Sequence, residues 1–220
     1  ILMRTQTEEK RRAILDATLE EFEARGFAAA RIEDIAKKAG VAKGTVYNYF
    51  ESKEALLMGL AEDLGNLIHE NLGRAMKDSA PMSTRQRIEE VFEPIIRENG
   101  RGRMSRILRV IWSEGLHRPQ LTRPFFEKFL LPAFGEEGFF TRMTEKKDFP
   151  VIIREYPFLI AAPLIQGVLW QTLLGDSKPL EFRRVFKAYL DLIFGEEDSQ
   201  SERKEQELKI RRHKETTSPS

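Results

Sequence analysis

Residues 31–58, RIEDIAKKAGVAKGTVYNYFESKEALLM, decide the fold of this chain, because they read as two short helices joined by a tight turn and followed at once by a third. The apolar residues of the first short helix recur at spacings of three and four, which gives it one buried face: Ile32, Ile35, Ala36 and Ala39. Gly40 stands where a helix needs a left-handed residue after its last turn. The stretch therefore predicts a helix-turn-helix.

The second short helix is rich in polar groups. Val41 and Val46 are expected to point inward, and the remaining positions bring a charge, hydroxyls and an amide within two turns: Lys43, Gly44, Thr45, Tyr47, Asn48 and Tyr49. Such a density of hydrogen-bonding groups on a short helix suits a DNA major groove better than a protein core. In an isolated helix the same pattern would also describe an ordinary solvated face.

At these residues the sequence resembles the TetR family of bacterial transcriptional regulators. The matching motifs follow one another without a gap: Ile35-Ala36, Ala39-Gly40-Val41, Gly44-Thr45, Tyr47-Asn48-Tyr49-Phe50 and Ser52-Lys53-Glu54. The helix upstream matches as well, at Ile14, Ala17, Phe22 and the Gly26-Phe27 exit. The resemblance covers residues 8–60, and beyond them only size and helical character agree.

The resemblance implies roles for individual residues. Lys43 and Gly44 would approach base edges, with Gly44 leaving room for the backbone, and Asn48 would reach a base. Phosphates or sugars would be bound by Thr45, Tyr47, Tyr49 and Lys53. Phe50, between polar neighbours, is expected in the core.

Two departures from the family pattern fall at helix starts. Arg31 and Ala42 stand where the family usually carries a hydroxyl that caps a helix. Losing such a cap costs about 0.5 to 2 kcal/mol unless something else accepts from the free N–H groups. A bound phosphate can do so, and Arg31 would then make a charged phosphate contact in place of a hydroxyl one.

The composition is that of a chain able to bury a real core: 220 residues, 41% hydrophobic and 32% charged. The absence of Cys excludes disulfides, thiolate metal sites and cysteine nucleophiles. The net charge is only +1, and residues 1–53 hold ten Lys or Arg against nine Asp or Glu. DNA binding must therefore depend on where the cations lie. The first residues lack the apolar core of an export signal, so we expect a cytoplasmic protein.

A helical period runs along almost the whole chain, which predicts an all-α fold. An N-terminal helix-turn-helix domain is expected over 1–51, a helical ligand-binding and dimerisation domain over 52–195, and a polar, disordered tail over 196–220. Ser52 is expected to cap the fourth helix, and Gly135 and Gly138 predict a kink or split. The expected helices are 8–25, 31–39, 42–48, 53–77, 84–98, 103–116, 122–144, 156–174 and 179–195.

The longest apolar stretch runs from Phe158 to Leu174 and is interrupted by Pro163, Gln166 and Gly167. A membrane span needs about 20 mostly apolar residues. A buried or partner-facing helix is therefore favoured, and no membrane partner is expected.

Aromatic residues cluster after residue 90, with a few polar groups on the same segments. Most aromatic rings must be core, but such a mixture also predicts an apolar pocket with a few orienting groups. On the strength of the resemblance, the expected ligand-binding residues are Phe92, Met104, Arg109, Trp112, Ser113, His117, Phe126, Phe129 and Gln166.

The last two helices carry a broad apolar stripe that could be core alone. In the family the corresponding helices pair with their copies in a four-helix interface, which would suit a two-fold operator. The resemblance thus implies a homodimer interface that includes Ala161, Gly167, Phe182, Val185, Phe186, Tyr189 and Ile193.

The sequence therefore predicts a dimeric DNA-binding regulator, a repressor released from its operator by a small apolar or aromatic inducer, with no metal or other cofactor. Two rivals stay open. One is a structural DNA-binding protein without an inducer. The other is a hydrolase, whose only foothold is Ser113 and His117, four residues apart on one helix. One helix gives that pair neither an orienting carboxylate nor oxyanion donors.

Overall fold

The computed structural model describes residues 2–76, 82–144 and 149–195, with side chains from residue 6 onward. Within these ranges the regular structure is helical throughout and contains no strand, which confirms the all-α fold. The α-helices are α1 (Leu2–Ala29), α2 (Ile32–Lys38), α3 (Lys43–Tyr49), α4 (Lys53–Ala75), α5 (Thr84–Arg97), α6 (Arg103–His117), α7 (Pro119–Phe125), α8 (Leu131–Phe134), α9 (Phe139–Thr144), α10 (Val151–Glu155), α11 (Ala162–Leu174) and α12 (Phe182–Phe194). A π-helical turn, Phe126–Leu130, joins α7 to α8, and a 3₁₀ turn, Pro157–Ala161, leads into α11.

The first helix begins before the expected residue 8, but its regular part ends where expected. Gly26 has φ 71° and ψ 163°, values outside the helical region, so the helix breaks there and resumes for a single turn. A side chain is strained at such a φ, and glycine is not. Beyond the break, α1 packs against α2, α4 and α6.

The fourth helix leaves the N-terminal domain and runs along the C-terminal helices. Its expected cap is confirmed, because the Ser52 hydroxyl accepts a hydrogen bond from the Ala55 N–H at 3.1 Å. Along its 23 residues it packs against α1, α5, α6 and α7. This single helix therefore connects the two parts of the chain directly.

The helix expected over 122–144 is split after Phe134, as Gly135 and Gly138 predict, and a π-helical turn that they do not predict interrupts the part before the split. The pieces are α7, the π turn, α8 and α9, and α8 ends at Gly135. A short helix, α10, lies between the expected helices 122–144 and 156–174, where none was expected. Five residues are too few for a helical period to be read from the sequence.

The turn between α5 and α6 anchors the last two helices. Asn99, at φ 50°, accepts a hydrogen bond on its side-chain oxygen from the Phe182 N–H at 2.9 Å. Gly100, at φ 70°, lies so close to the Phe182 ring that an added Cβ would be 2.3 Å from it. Buried Arg85 pairs with Asp191 at 2.8 Å and ties α5 to α12. The α5–α6 turn thus holds the start of α12 in place.

One described segment, Pro157–Leu174, is long and apolar enough to cross a membrane by length and composition, with a mean hydropathy of 1.5. A third of it is buried in the protomer. The core helix of a soluble protein meets the same criterion. Length and composition therefore do not distinguish a membrane span from a buried or partner-facing helix. The predicted disordered tail at 196–220 lies outside the described residues.

Candidate functional site

The turn between α2 and α3 has the geometry that its glycine predicts. Gly40 has φ 68°. The Val41 N–H donates to the Ala36 carbonyl at 3.0 Å, and the Gly40 N–H donates to the Lys37 carbonyl at 3.3 Å. This pair of hydrogen bonds is a Schellman motif, which satisfies the last carbonyls of a helix and reverses the chain direction. It holds α3 at a fixed angle to α2.

The inward faces of α2 and α3 are closed. Ile35 and Val46 are fully buried, and Ala36 nearly so. Phe50 is buried too, which confirms its place in the core, and its ring packs against the backbone of Gly59 in α4. Val41 is half-buried against the same cluster. The apolar residues therefore fix the motif and leave the polar residues of α3 on the outside.

The outward face of α3 holds the residues that the sequence assigns to DNA. Lys43, Gly44, Tyr47 and Asn48 are exposed, while Thr45 and Tyr49 are half-buried. A Cβ added to Gly44 would meet nothing within 4 Å. Glycine in a helix is about 1 kcal/mol less favourable than alanine. Nothing within the protomer therefore requires glycine at this position.

The Lys43 ammonium is paired with the Glu33 carboxylate of α2 and lies 5.9 Å from the centre of the Tyr47 ring. The hydrogen bond from Lys43 lowers the pKa of Glu33 below its ordinary value, and the same bond raises the pKa of Lys43. Both groups are exposed. Glu33 was not among the expected site residues, because a carboxylate near DNA is not part of the matched motif.

The two missing helix caps are confirmed. Arg31 and Ala42 have extended backbones at the N-caps of α2 and α3, and neither makes a capping hydrogen bond with its side chain. Arg31 is exposed. Its backbone carbonyl accepts from the N–H groups of Asp34 and Ile35, each at 3.1 Å. The guanidinium is thus not committed to capping α2.

Lys53 is placed differently from a free phosphate-binding lysine. Its Nζ donates to the carbonyls of Ala28 at 2.9 Å and Ala30 at 3.2 Å, and it lies 4.9 Å from the centre of the Phe27 ring. The side chain therefore satisfies the carbonyls that the end of α1 leaves open. A phosphate contact by this ammonium would have to replace those bonds.

A cavity of about 630 Å³ lies in the C-terminal part, among α6, α7, the π turn, α8 and α11. Its charged wall residues are Arg123 and Glu127, one helical turn apart. The other lining residues are mostly apolar: Trp112, Gly115, Leu116, Pro119, Thr122, Phe126, Leu131, Ile165 and Leu169. The volume and the mostly apolar wall match those of small-molecule sites.

Of the nine residues expected to bind ligand, Trp112 and Phe126 line this cavity. Four others have partners elsewhere. Phe92 stacks on Phe140 with ring centres 5.6 Å apart, and Phe129 packs against Gly65. Met104 is buried beside Asn71, and Arg109 pairs with Glu23 at 3.0 Å.

The remaining three, Ser113, His117 and Gln166, are exposed and stand outside the cavity wall. His117 Nδ1 lies 2.9 Å from the backbone oxygen of Ser113. The imidazole is thus engaged with the Ser113 backbone through Nδ1. Among the described residues, no group of three His, Asp or Glu side chains is placed to hold a metal ion.

Four of the seven expected dimer residues are buried within the protomer: Gly167, Phe182, Phe186 and Ile193. The Phe182 ring lies against Gly167, where an added Cβ would be 2.9 Å away, so these residues pack α12 onto α11. Side chains closed off in this way offer no surface to a second copy. Ala161, Val185 and Tyr189 are half-buried, and the Tyr189 hydroxyl donates to the Leu159 carbonyl at 2.6 Å.

The exposed apolar residues of α11 lie on a different face of that helix from the buried Gly167. Ile165, Leu169 and Leu173 follow one another at intervals of four and are 43%, 42% and 77% exposed. Leu192 on α12 is 82% exposed. Sequence periodicity could not separate this outer face from the inner one, because α11 is apolar nearly all round.

Together, a helical fold, a Schellman turn and a polar outward face on α3 define a helix-turn-helix protein. Residues 14–59 match the family model described as bacterial regulatory proteins of the TetR family. Over these residues the chain is similar to that family.

One curated relative, an uncharacterized HTH-type transcriptional regulator of Bacillus subtilis named YvdT, is 48% identical over 62 residues, or 28% of this chain. The chain matches 32% of that relative's length. The regulator BetI of Cronobacter sakazakii is 28% identical over 115 residues, covering 52% of this chain and 57% of its own length. The chain thus spans only part of the length of these curated relatives, 32% of one and 57% of the other.

Solved structures resemble the fold over most of the chain. A fatty acid metabolism regulator described as putative, from Clostridium perfringens, superposes with a TM-score of 0.65 at 20% identity and covers 83% of this chain and 96% of its own. AibR, solved in complex with isovaleryl coenzyme A and operator DNA, gives 0.60 at 20% identity, with 84% and 98% covered. At 20% identity these structures show a shared fold and nothing more specific.

Proposed function

We propose that this chain is a DNA-binding regulator of transcription that reads a specific operator with α3. The observation that carries the proposal is the division of α3 into a fully buried side and an exposed polar side, with open space at Gly44. A major groove admits a helix whose backbone comes close to the bases. The curated relatives, which are named transcriptional regulators, support the same function.

In this proposal Lys43, Gly44 and Asn48 face base edges. Thr45, Tyr47, Tyr49 and Arg31 bind the sugar-phosphate backbone. The free N–H groups at the start of α4 add to the attraction for phosphate.

The direct test is selection of bound sequences from random DNA by the purified protein, followed by anisotropy titrations of the selected site. Tyr47→Ala is expected to weaken binding to all sequences alike, because it removes a backbone contact. Lys43→Ala is expected to change the preferred sequence as well as the affinity. If both variants bind the selected site like the wild type, α3 is not the reading element.

We also propose that the protein acts as a homodimer, with one α3 for each half of the site. Two recognition helices then fall about 34 to 36 Å apart, one turn of DNA, or a multiple of that distance. The exposed apolar face of α11, carried by Ile165, Leu169 and Leu173, supports a second copy as the covering surface, and because Ile165 and Leu169 also line the cavity, that copy would lie beside its opening. Isolated exposed apolar residues need no explanation, but a continuous row along one helix does.

The third part of the proposal is an inducer that binds the 630 Å³ cavity and releases the protein from DNA, which makes it a repressor. The cavity wall favours an apolar or aromatic molecule with one charged end, because Arg123 and Glu127 stand among apolar groups. AibR, a neighbour in fold, was solved with both an acyl coenzyme A and operator DNA, which supports a ligand-responsive scheme. The ligand would shift the population toward a domain arrangement that does not fit the operator.

Two measurements distinguish this proposal from the alternative of a structural DNA-binding protein without an inducer. A structural protein would bind many sequences with similar affinity, and the selection would return no consensus. It would also bind no apolar probe in competition with DNA.

A further inference from the structure

The break in α1 leaves one backbone amide dependent on a residue far along the chain. At Gly26 the backbone leaves the helical region, and the next residue, Phe27, is 3% exposed. Its N–H donates to Oε1 of Glu114 in α6, with an N···O distance of 3.3 Å. A buried N–H needs an acceptor. The position of Glu114 and the shape of the α1 break are therefore linked.

Glu114 is itself buried, 8% exposed, and incompletely satisfied. Its Oε2 accepts no hydrogen bond within the described part of the chain, although Arg118 NH2 lies 3.4 Å away as an ion pair. Moving this carboxylate leaves the buried Phe27 N–H without an acceptor, but a carboxylate held by two contacts has few bonds to break. It is better suited to move than a fully bonded one.

The same turn of α6 forms part of the cavity wall. Trp112, Gly115 and Leu116 line the cavity, and they flank Glu114 in sequence. A molecule that enters the cavity and displaces this turn must therefore also move the Glu114 carboxylate. The cavity and the α1 break share one piece of backbone.

The other side of the break is held by the start of α4. The Phe27 ring lies between two cations, Lys53 Nζ at 4.9 Å and the Arg118 guanidinium at 5.0 Å. Lys53 also donates to the carbonyls of Ala28 and Ala30. The single turn after Gly26 is thus held from α6 on one side and from the beginning of α4, beside the helix-turn-helix, on the other.

We propose that Glu114 is the positioning residue that transmits occupancy of the cavity to the DNA-reading domain, by holding or releasing the Phe27 N–H. This inference rests on the proposed function, and it gives the end of α1 a part in the response to ligand. When the α6 turn is displaced, the Phe27 amide loses its acceptor and the turn at 27–30 relaxes. Lys53, which is bonded to that turn, then shifts with the start of α4, and α3 is no longer aligned with its groove.

The test measures reciprocity between cavity and operator with a defined probe, the dye 1-anilinonaphthalene-8-sulfonate, and DNA selected with the wild-type protein. Operator affinity is measured with and without saturating dye, and dye affinity with and without operator. In the wild type each is expected to weaken the other by the same factor, within about 5- to 150-fold. In Glu114→Ala that factor is expected to fall to below about 2-fold, while the dye still binds.

Glu114→Gln is the conservative rescue. An amide oxygen can still accept from Phe27, so this variant is expected to keep most of the coupling. Arg106→Gln is the matched control: Arg106 also joins α6 to α1, through its ion pair with Glu23, but does not touch the break. In Arg106→Gln, dye and operator are expected to weaken each other's binding by the same factor as in the wild type.

Circular dichroism and thermal melting verify that each variant is folded. If Glu114→Ala is not folded, Arg118→Gln is used in its place, because it loosens both the carboxylate and the Phe27 ring.

The outcomes are distinct. If Glu114→Ala keeps the wild-type coupling between dye and operator, the inference is overturned and the proposed regulator stands. The same holds for Arg118→Gln where Glu114→Ala does not fold. An equal loss of coupling in Arg106→Gln would also overturn the inference. Dye and operator that bind the wild type independently would overturn the inference while DNA binding stands. Failure to select any DNA would overturn the proposed function and the inference with it.

Discussion

The Lys43 ammonium is held by the Glu33 carboxylate, across the helix-turn-helix from α3 to α2. A lysine expected to read DNA is thus paired with an anion on the same surface. DNA phosphates would compete with Glu33 for it. Glu33 therefore acts against binding in two ways, by occupying Lys43 and by repelling phosphate.

Glu33→Gln is expected to tighten binding to all DNA sequences and to steepen the salt slope by up to about one unit, because the variant removes an anion that repels phosphates and releases Lys43 toward the groove. The advantage should shrink as salt is raised from about 50 to 200 mM, since screening weakens the repulsion. Anisotropy titrations across that range measure it. Glu70→Gln, an exposed carboxylate on α4, is the control and should change little. Equal affinities for Glu33→Gln and wild type would place Glu33 away from the DNA.

Gly44→Ala separates stability from DNA binding. Nothing in the protomer lies near the added Cβ, so the free energy of unfolding should rise by up to about 1 kcal/mol. DNA affinity should nevertheless fall at least about tenfold, or 1.4 kcal/mol, because the methyl group meets the groove. Gly73→Ala is the matched control, another helical glycine with open space, and should be stabilised without loss of binding. Urea unfolding and anisotropy give the two quantities.

Leu173→Glu is expected to break the dimer and preserve the protomer. Leu173 is 77% exposed, so a charge there is solvated in the monomer and buried without a partner only in an interface. Sedimentation should report monomers with a wild-type melting profile and reduced operator affinity. Phe186→Glu would not be informative, because Phe186 is 2% exposed and its loss disrupts the protomer itself. A wild-type monomer at micromolar concentration would contradict the dimer.

The charged pair at the cavity predicts opposite effects on an anionic apolar dye. Arg123→Gln should weaken binding of 1-anilinonaphthalene-8-sulfonate by about 2- to 5-fold, as expected for an exposed charge worth up to about 1 kcal/mol. Glu127→Gln should strengthen it by a similar factor. Fluorescence titration measures both. If neither changes the affinity, the dye does not occupy this cavity.

Burial raises the pKa of Tyr189, whose hydroxyl donates to the Leu159 carbonyl. A raised folded-state pKa means that the stabilisation is fully present below the unfolded value of 10.0 and is lost as the pH rises through the folded value. Urea unfolding should therefore show wild type more stable than Tyr189→Phe by about 0.5 to 1.5 kcal/mol at pH 9. That difference should shrink above pH 10. A constant difference across this range would assign the effect to packing.

Local chemistry predicted much of the DNA-reading part correctly. The left-handed position of Gly40, the missing caps at Arg31 and Ala42, the Ser52 cap and the burial of Phe50 are all found in the structure. These features depend on backbone preferences and spacing within a few residues. A short sequence window contains all the information that they need.

The helical fold, the helix-turn-helix and the outward-facing residues of α3 could therefore be predicted from local sequence. Tertiary structure alone decided the rest: that Lys53 bonds to the end of α1, that Phe92 and Met104 are placed outside the cavity, and that Phe182 and Phe186 are sealed inside the protomer. It also decided that Glu114 serves an amide 87 residues away. The physical reason is that a periodic apolar pattern shows that a face will be covered. Which surface covers it depends on how distant helices pack.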